Sequence, residues 1–433
     1  MGTTILEKAS CEACWQEFLE YKLSRQHLDA GEEREIRDFI DRKAYLPLCE
    51  AWDKGEFPLN YPVKRIVNKQ STGKKRIVYS FPGDEGILLK FIAFHLFQFD
   101  DRFNNNCYAF RREYGVKNAI YRIRSLPNLQ EQFCLKADIS NYFNSIDVDR
   151  LLEQLSFVRE EDEALYGLFQ RLLRRKHVME NGKLVAENHG AMAGIPLSPF
   201  FANVYMSEVD ACFAQSGIPY FRYSDDILIF AESAEELTQR RVQLYQMVED
   251  LGLAINPDKV HISAPGEVWE FLGFCYRNGE IDLSDMTLRK MKAKIKRKAE
   301  ALRRWQRKKR LTGEKAAIGL IRAMNRKFYG RSVDNRDDFI ESSDFTWSRW
   351  FFPNLTVDDG LRTIDAYLQE YIRYTVTGRH YKGNYRIPYE QLKAWGYQSL
   401  VHEFYRSKNR YLCQKTAVRI SSDHTMRKPS DIK

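Results

Sequence analysis

Two adjacent acidic residues, Asp225 and Asp226, interrupt an otherwise apolar stretch of the chain. The runs on either side, residues 218–223 and 227–230, are rich in aromatic and β-branched residues, which favour β-strands. This pattern predicts a β-hairpin whose tip carries the acidic pair. Two neighbouring carboxylates repel each other, and their burial is costly unless a cation compensates. Because hard cations such as Mg²⁺ bind carboxylate and phosphate oxygens together, a metal site is one interpretation, and a plain polar turn is the other.

A third acidic residue lies upstream of the pair. Residues 133–139 have the pattern of a strand that ends on Asp138. An acidic residue at the end of one strand and an acidic pair at a hairpin tip are the arrangement of a two-metal phosphoryl-transfer site. In such a site we expect Asp138 and Asp225 to bridge both ions and Asp226 to be an outer ligand.

With these motifs in this order, residues 61–285 resemble a reverse transcriptase of the bacterial, group II intron-like branch. The resemblance implies an α+β right-hand polymerase fold, with fingers, a palm that has an antiparallel sheet and helices, and a helical thumb. It also implies RNA-directed DNA polymerase activity with two Mg²⁺ ions, for which Mn²⁺ could substitute. The implied metal ligands are Asp138, Ile139, Asp225 and Asp226, and the implied catalytic residues are Asp138, Asp225, Asp226 and Lys259.

The resemblance implies a nucleotide site as well. Lys69 and Arg76 flank a turn and would grip the triphosphate, with Lys74 or Lys75 as substitutes, because cationic side chains bind phosphate strongly. An ordinary solvated basic turn is the alternative. Phe143, five residues after Asp138, matches an aromatic gate that collides with a ribose 2′-hydroxyl. A plain core residue is the alternative there, since aromatic side chains are usually core.

Ala193 and Gly194 belong to a block that packs beneath the nascent base pair in this family. Glycine there would let the backbone approach the substrate closely. The family usually carries Gln at the position of Ala193, and we interpret the change as a character of a subfamily rather than as inactivation. Lys259 matches a lysine near the leaving pyrophosphate, where an ammonium can donate a proton. A solvated lysine in a turn is the alternative.

The net charge of +9 is distributed unevenly. Residues 1–60 contain 13 acidic residues against eight Lys and Arg, so the remainder carries +14. A basic body predicts a polyanionic partner whose affinity falls with salt. In the densest basic run, residues 289–310, Glu300 alone is acidic and apolar residues recur at near-helical spacing. We expect an amphipathic helix, and the resemblance implies that it follows the duplex backbone. A merely solvated helix face is the alternative.

Four segments follow from these observations. Residues 1–60 would be an acidic helical extension, 61–137 the fingers, 138–284 the palm with the catalytic Asp residues, and 285–433 a basic helical thumb and C-terminal region. A chain of 433 residues is long enough for two to three domains.

The cysteines point to no structural metal. Cys11 and Cys14 form a lone C-x-x-C motif, and zinc would need two further ligands, for which His27 is only a candidate. Scattered cysteines and the lack of a signal peptide predict a reducing cytoplasm. No apolar run reaches membrane-spanning length, so we expect no membrane partner.

The expected partners are an RNA template, dNTPs and a DNA primer or product, and an oligomer is allowed. The chain resembles the stand-alone bacterial reverse transcriptases of defence systems against phage, which implies a dedicated, structured non-coding RNA as template. One alternative is a protein-primed or template-independent DNA polymerase of the same fold. The others are an RNA polymerase that shares the palm and a non-catalytic RNA-binding scaffold.

Overall fold

A computed structural model describes residues 3–25, 28, 30–68, 75–330 and 346–409. The chain divides into two compact units, which are Met1–Leu272 with Arg277–Gly279, and Gly273–Tyr276 with Glu280–Lys433. The mixture of helices and mainly antiparallel sheets confirms the predicted α+β class. The division into extension, fingers, palm and thumb stays a prediction.

Helices dominate the start of the first unit, as the sequence predicts for residues 1–60. They are α1 (Ile5–Ala9), α2 (Glu12–Arg25), α3 (Ala30–Asp41) and α4 (Tyr45–Asp53). Thr4 caps α1 by accepting from the backbone N–H of Glu7, whose carboxylate accepts from the Thr4 N–H in return. Trp15 is fully buried and stacks on Phe91 with ring centroids 4.0 Å apart. Aromatic burial of this kind anchors the helices to the rest of the unit.

The next elements are a mixture of strands and helices. They are β1 (Val63–Asn68), β2 (Lys75–Ser80), α5 (Asp84–His95), α6 (Val116–Arg124), β3 (Phe133–Asp138), α7 (Tyr142–Ser145), α8 (Val148–Gln154), α9 (Ser156–Glu161), α10 (Glu163–Leu173), β4 (His177–Glu180) and β5 (Lys183–Ala186). β1 and β2 form an antiparallel pair, and β4 joins β1 in parallel, which gives a sheet of order β2-β1-β4-β5.

A second sheet forms the centre of this unit. The first unit also contains α11 (Ser198–Tyr205), α12 (Ser207–Gln215), β6 (Tyr220–Tyr223), β7 (Asp226–Ala231), α13 (Ala234–Asp250), β8 (His261–Ser263) and β9 (Trp269–Phe271). Of these strands, β6, β7 and β8 join β3 in this sheet. The strand order is β6-β7-β3-β8, and every pairing is antiparallel. The strands predicted at 133–139, 218–223 and 227–230 are confirmed. The centre of this sheet is apolar and fully buried, as the exposures of Ile227, Leu228, Ile229 and Phe230 show.

The second unit is mostly helical. It contains the first three residues of β10 (Phe274–Arg277), together with β11 (Glu280–Leu283), α14 (Asp285–Lys309), α15 (Gly313–Tyr329), α16 (Trp347–Phe351), α17 (Asp359–Thr377), α18 (Tyr389–Ala394) and a last helix, α19, over 400–409. The basic helix predicted at 289–310 is therefore confirmed as α14. It packs closely on α15, where a Cβ on Gly319 would lie 3.3 Å from the Leu302 side chain. Among the described residues, none of the helices is both long and apolar enough to cross a membrane.

Candidate active site

A tight turn between β6 and β7 carries the acidic pair, as the sequence predicts. Tyr223 lies opposite Asp226, so Ser224 and Asp225 form the two-residue turn. Ser224 has a φ of 62°, and glycine is the usual residue where the first position of a two-residue hairpin turn has a positive φ. The serine is therefore strained. Arg222 supports it by donating from Nη1 to the Ser224 carbonyl oxygen at 3.3 Å.

β3 brings the third carboxylate to the same edge of the sheet. Asp138 lies directly opposite Asp226 in the β3–β7 register, so the two side chains leave the same face. The next residue, Ile139, donates its backbone N–H to the Asp225 carbonyl oxygen at 3.1 Å. The backbone positions of all three aspartates are thus fixed against one another. Ile139 has no ligand atom in its side chain and could offer a cation only its carbonyl oxygen.

The carboxylates at this edge are electrostatically unfavourable neighbours. Burial raises the pKa of Asp225, and the nearby Asp138 carboxylate raises it further. Burial also raises the pKa of Asp226 to about 6, with added repulsion from Asp225 and Asp138 and an opposing effect of Lys136. Such shifts mean that the ionised forms lack compensation. A cation would supply it, and carboxylate oxygens are the donors that Mg²⁺ prefers, so these residues fit the implied metal.

Lys259 engages one of these carboxylates directly. The loop before it is fastened to β3, since Asn256 donates its backbone N–H to the Asp138 carbonyl oxygen at 2.8 Å. The Lys259 ammonium forms an ion pair with the Asp138 carboxylate, which is itself buried. Within the part of the chain that the structure describes, no group of three or more Asp, Glu, His or Cys side chains has an arrangement that could hold a metal ion. The role of Asp138, Asp225 and Asp226 as metal ligands stays a prediction.

The loop that contains Ala193 and Gly194 is held between α7 and β2. Ala193 donates its N–H to the Asn144 Oδ1 at 2.8 Å and accepts at its carbonyl oxygen from the Tyr79 N–H at 2.8 Å. Gly194 has a φ of 107°, and a Cβ there would lie 2.9 Å from the Tyr79 carbonyl oxygen. Glycine is therefore required by the close approach to β2 as well as by the backbone conformation.

Arg76 and Phe143 also border this region. Arg76 is exposed on β2, and its positive charge lowers the pKa of Asp225 slightly, so the guanidinium lies within electrostatic reach of the acidic turn. Phe143 lies on α7, is half-buried, and its ring centroid is 5.5 Å from that of Tyr142. Lys69 and its substitute Lys74 lie outside the described residues, and Lys75 is exposed at the start of β2.

Sequence reasoning missed a buried polar network beneath the turn. Arg222 is fully buried and forms a bidentate pair with Asp210, with distances of 2.8 Å from Nε and 2.5 Å from Nη2. Its Nη1 also donates to Asn203 Oδ1 at 3.3 Å, and the Tyr220 hydroxyl donates to Asp210 at 3.1 Å. An arginine inside the apolar run of residues 218–223 was the available signal, because a buried cation needs a partner.

Part of the chain matches a known protein family. Residues 67–276 match the family described as reverse transcriptase (RNA-dependent DNA polymerase). The retron Ec86 reverse transcriptase of Escherichia coli is 23% identical over 174 residues, which is 39% of this chain and 50% of that protein. The chain therefore spans half the length of this curated relative.

Two solved telomerases are more distant. The apo telomerase of Candida tropicalis, truncated from its C-terminal domain, has a TM-score of 0.42 at 10% identity and covers 56% of this chain and 60% of its own. Candida albicans telomerase in complex with a TWJ fragment of telomeric RNA has a TM-score of 0.41 at 13% identity, covering 82% of this chain and 68% of its own. At these scores neither structure adds to the assignment.

Proposed function

We infer that this chain, whose residues 67–276 form a reverse transcriptase domain, is an RNA-directed DNA polymerase. The family match and the α+β architecture confirm the predicted resemblance and the predicted class of fold, which is the right-hand polymerase. The observation that carries the proposed activity is the register of the central sheet. It sets Asp138 opposite Asp226, with Asp225 on the adjoining turn.

The proposed reaction is nucleotidyl transfer. The 3′ oxygen of a primer attacks the α-phosphorus of a dNTP, a new P–O bond forms, and the bond from that phosphorus to the bridging oxygen breaks. The hydroxyl proton passes to solvent, and pyrophosphate leaves. Two divalent ions held by Asp138, Asp225 and Asp226 would lower the pKa of the 3′ hydroxyl and neutralise charge on the phosphates.

Lys259 has two successive roles in this proposal. Before substrate binds, its ammonium neutralises Asp138, which lessens the repulsion among the three carboxylates. Its side chain is 41% exposed, so it is free to turn from Asp138 toward the triphosphate. There it would donate a proton to the departing pyrophosphate, as a general acid does.

The remaining residues would bind the nucleotide. Arg76, with Lys69, would hold the triphosphate, since a guanidinium binds phosphate oxygens in a bidentate manner. Phe143 would exclude a ribose 2′-hydroxyl. Ala193 and Gly194 would support the nascent base pair through the loop that is hydrogen-bonded to β2. The methyl group of Ala193 offers no hydrogen bond to the nucleotide, and its backbone N–H and carbonyl oxygen are bonded to Asn144 and Tyr79. We therefore expect Ala193 to contact the nucleotide by apolar packing alone.

We propose a structured non-coding RNA as template and a role in defence against phage. The basic surface of α14, on which Lys296, Arg297 and Lys298 are all exposed, supports a nucleic-acid partner, because cationic surfaces bind phosphate backbones. The structured template itself follows from the resemblance. The support for the defence role is the resemblance to stand-alone bacterial reverse transcriptases, together with the similarity to a retron reverse transcriptase.

Strand-specific sequencing of nucleic acid bound to the protein in cells tests the proposal. Cells would carry the gene with its native flanking DNA, and wild type would be compared with an Asp225→Asn, Asp226→Asn double variant. We expect complementary DNA only with wild type, mapping to one flanking RNA. DNA that matches no RNA would favour untemplated synthesis, and DNA that stays on the protein after nuclease treatment would favour protein priming. Equal RNA and no DNA in both samples would contradict the proposed activity and favour a scaffold.

A further inference from the structure

An exposed aromatic residue beside the acidic turn has a strained backbone. Phe110 has a φ of 60°, the left-handed region that bulky residues rarely adopt. The residue is nevertheless 41% exposed, so burial of its own ring does not account for the conformation. Strain of this kind persists only where the surroundings impose it, and such positions are concentrated at functional sites.

The Phe110 ring lies near the rings of Phe143 and of Tyr223, the residue that precedes the acidic turn. Its centroid is 6.4 Å from that of Phe143 and 6.5 Å from that of Tyr223. Phe143 also contacts Tyr142, which is buried, with ring centroids 5.5 Å apart. Phe143 is therefore bordered by one fixed ring from the core and by one ring, that of Phe110, from a loop.

A buried arginine holds this loop in place. Arg111 donates from Nη1 to the carbonyl oxygens of Asn104 at 2.9 Å and Cys107 at 3.1 Å, and from Nη2 to the Asp100 carbonyl oxygen at 2.8 Å. Its guanidinium also lies 3.8 Å from the centre of the Tyr114 ring. These contacts close the chain on both sides of Phe110 and leave its backbone few alternatives.

The same loop is attached to the strand that leads into the acidic turn. Tyr108 donates its N–H to the Arg222 carbonyl oxygen at 2.9 Å, and Arg222 donates its N–H to the Asn106 carbonyl oxygen at 2.9 Å. Asn203, which bonds the Arg222 guanidinium, also donates to the Ala109 carbonyl oxygen at 2.8 Å. The position of Phe110 is thus fixed relative to the turn that carries Asp225.

From this arrangement we propose that Phe110 is a positioning residue for nucleotide selection, which rests on the polymerase function proposed above. Its ring confines the Phe143 side chain to the conformation that meets the sugar of the incoming nucleotide. Without it, the Phe143 ring can turn into the vacated space, and a ribose 2′-hydroxyl is tolerated. The strained backbone is what directs the Phe110 ring toward Phe143.

Single-nucleotide incorporation kinetics with dNTPs and rNTPs test this inference. We expect Phe110→Ala to lower the ratio of kcat/KM for dNTP over rNTP by about tenfold, a size typical of one apolar contact in a pocket. The change should lie mainly in KM for the rNTP, with kcat for the dNTP little altered. Phe110→Tyr should restore the ratio. Leu184→Ala, which removes an exposed apolar side chain from β5, is the matched control.

The double variant Phe110→Ala, Phe143→Ala shows whether Phe110 acts through Phe143. If it does, the dNTP-to-rNTP ratio of the double variant is no lower than that of Phe143→Ala alone, since the gate is already absent in both. Additive losses would overturn the inference. So would an unchanged dNTP-to-rNTP ratio in Phe110→Ala while wild type polymerises and discriminates. Absence of any polymerisation by wild type would instead contradict the proposed function.

Phe110→Gly separates positioning from structural support. Glycine adopts a positive φ without strain, so this variant should melt at a higher temperature than Phe110→Ala while its dNTP-to-rNTP ratio falls equally. If the ratio followed the melting temperature instead, Phe110 would serve stability, and the inference would be wrong.

Discussion

The buried guanidinium of Arg222 connects the acidic turn to the rest of the first unit. It is paired with Asp210, and neither side chain is more than 1% exposed. It also bonds the Ser224 carbonyl oxygen, Asn203 and the Cys107 sulfur, so four polar groups depend on one side chain. A buried pair contributes little net stability relative to an apolar replacement, yet removal of one partner is costly because the other charge is left uncompensated.

We predict that Arg222→Met lowers the free energy of unfolding by about 3–5 kcal/mol, because it leaves the Asp210 carboxylate buried without its partner. Denaturant titration monitored by circular dichroism gives the value. Arg174→Met, which removes an exposed ion pair with Asp149, is the control and should change stability little. A loss no larger than that of the control would contradict the structural role of Arg222.

Because of His95, we predict that the free energy of unfolding depends on pH. Its ring lies between Phe91 and Phe94, with centroids 4.4 Å and 4.9 Å away. Burial lowers the pKa of His95 from 6.5 to about 4, with a smaller lowering by Lys8. Between these two values the unfolded chain binds more protons than the folded chain, so the free energy of unfolding falls as the pH decreases through this window.

His95→Leu should therefore reduce the loss of melting temperature between about pH 7 and pH 5, because leucine takes up no proton. Thermal melts of both proteins at the two pH values measure the difference. Parallel losses in wild type and variant would show that His95 does not titrate on unfolding in this range.

At the scale of elements, the loop that precedes α11 is positioned by close backbone approach. Gly190 has a φ of 52°, and a Cβ there would lie 2.7 Å from the Phe143 carbonyl oxygen and 2.8 Å from that of Asn144. Gly217 also has a positive φ, of 68°, but nothing lies within 4 Å of its Cβ position. Alanine substitutions at the two positions therefore distinguish the cost of backbone strain, present at both, from the cost of a steric collision, present at Gly190 alone.

We predict that Gly217→Ala costs about 1–2 kcal/mol of stability, the strain of a left-handed residue. Gly190→Ala should cost about 1–3 kcal/mol more, because its methyl group collides with α7. It should also slow DNA synthesis, since Ala193 and Gly194 move with the loop. Equal unfolding free energies for the two variants would contradict the close approach.

At the scale of the whole molecule, charge is segregated along the chain. Residues 1–60 are acidic, whereas α14 is strongly basic. Replacement of Lys296, Arg297 and Lys298 by Gln should weaken RNA binding and reduce the slope of log affinity against log salt by about 2, at roughly 0.7 per phosphate contact. The matched control replaces Arg34, Arg37 and Lys54, which are exposed in the acidic segment. Filter binding across a salt series measures the slope for each variant. If the α14 variant had the same slope as the control variant, an RNA-binding role for α14 would be contradicted.

The local sequence predicted the secondary-structure elements better than it predicted which residues of different elements contact one another. The strand pattern before Asp138 and around Asp225 and the spacing in residues 289–310 were sufficient, because propensity and periodicity act over a few neighbours. The pairing of Asp138 with Asp226 depends on strand register, which distant packing fixes. Likewise Arg222 and Asp210 meet only through the fold. The left-handed Ser224 was not foreseeable, since serine does not favour that conformation.

Primer extension by purified protein on a defined RNA template tests the central claim most directly. The assay compares wild type with Asp138→Asn, Asp225→Asn and Asp226→Asn variants, each nearly isosteric with the native side chain, with and without EDTA. We predict dNTP-dependent extension by wild type only when RNA template and Mg²⁺ are present, and a loss of at least about a hundredfold in the Asp138→Asn and Asp225→Asn variants. Extension by those variants at the wild-type rate would contradict the assignment of these carboxylates to catalysis.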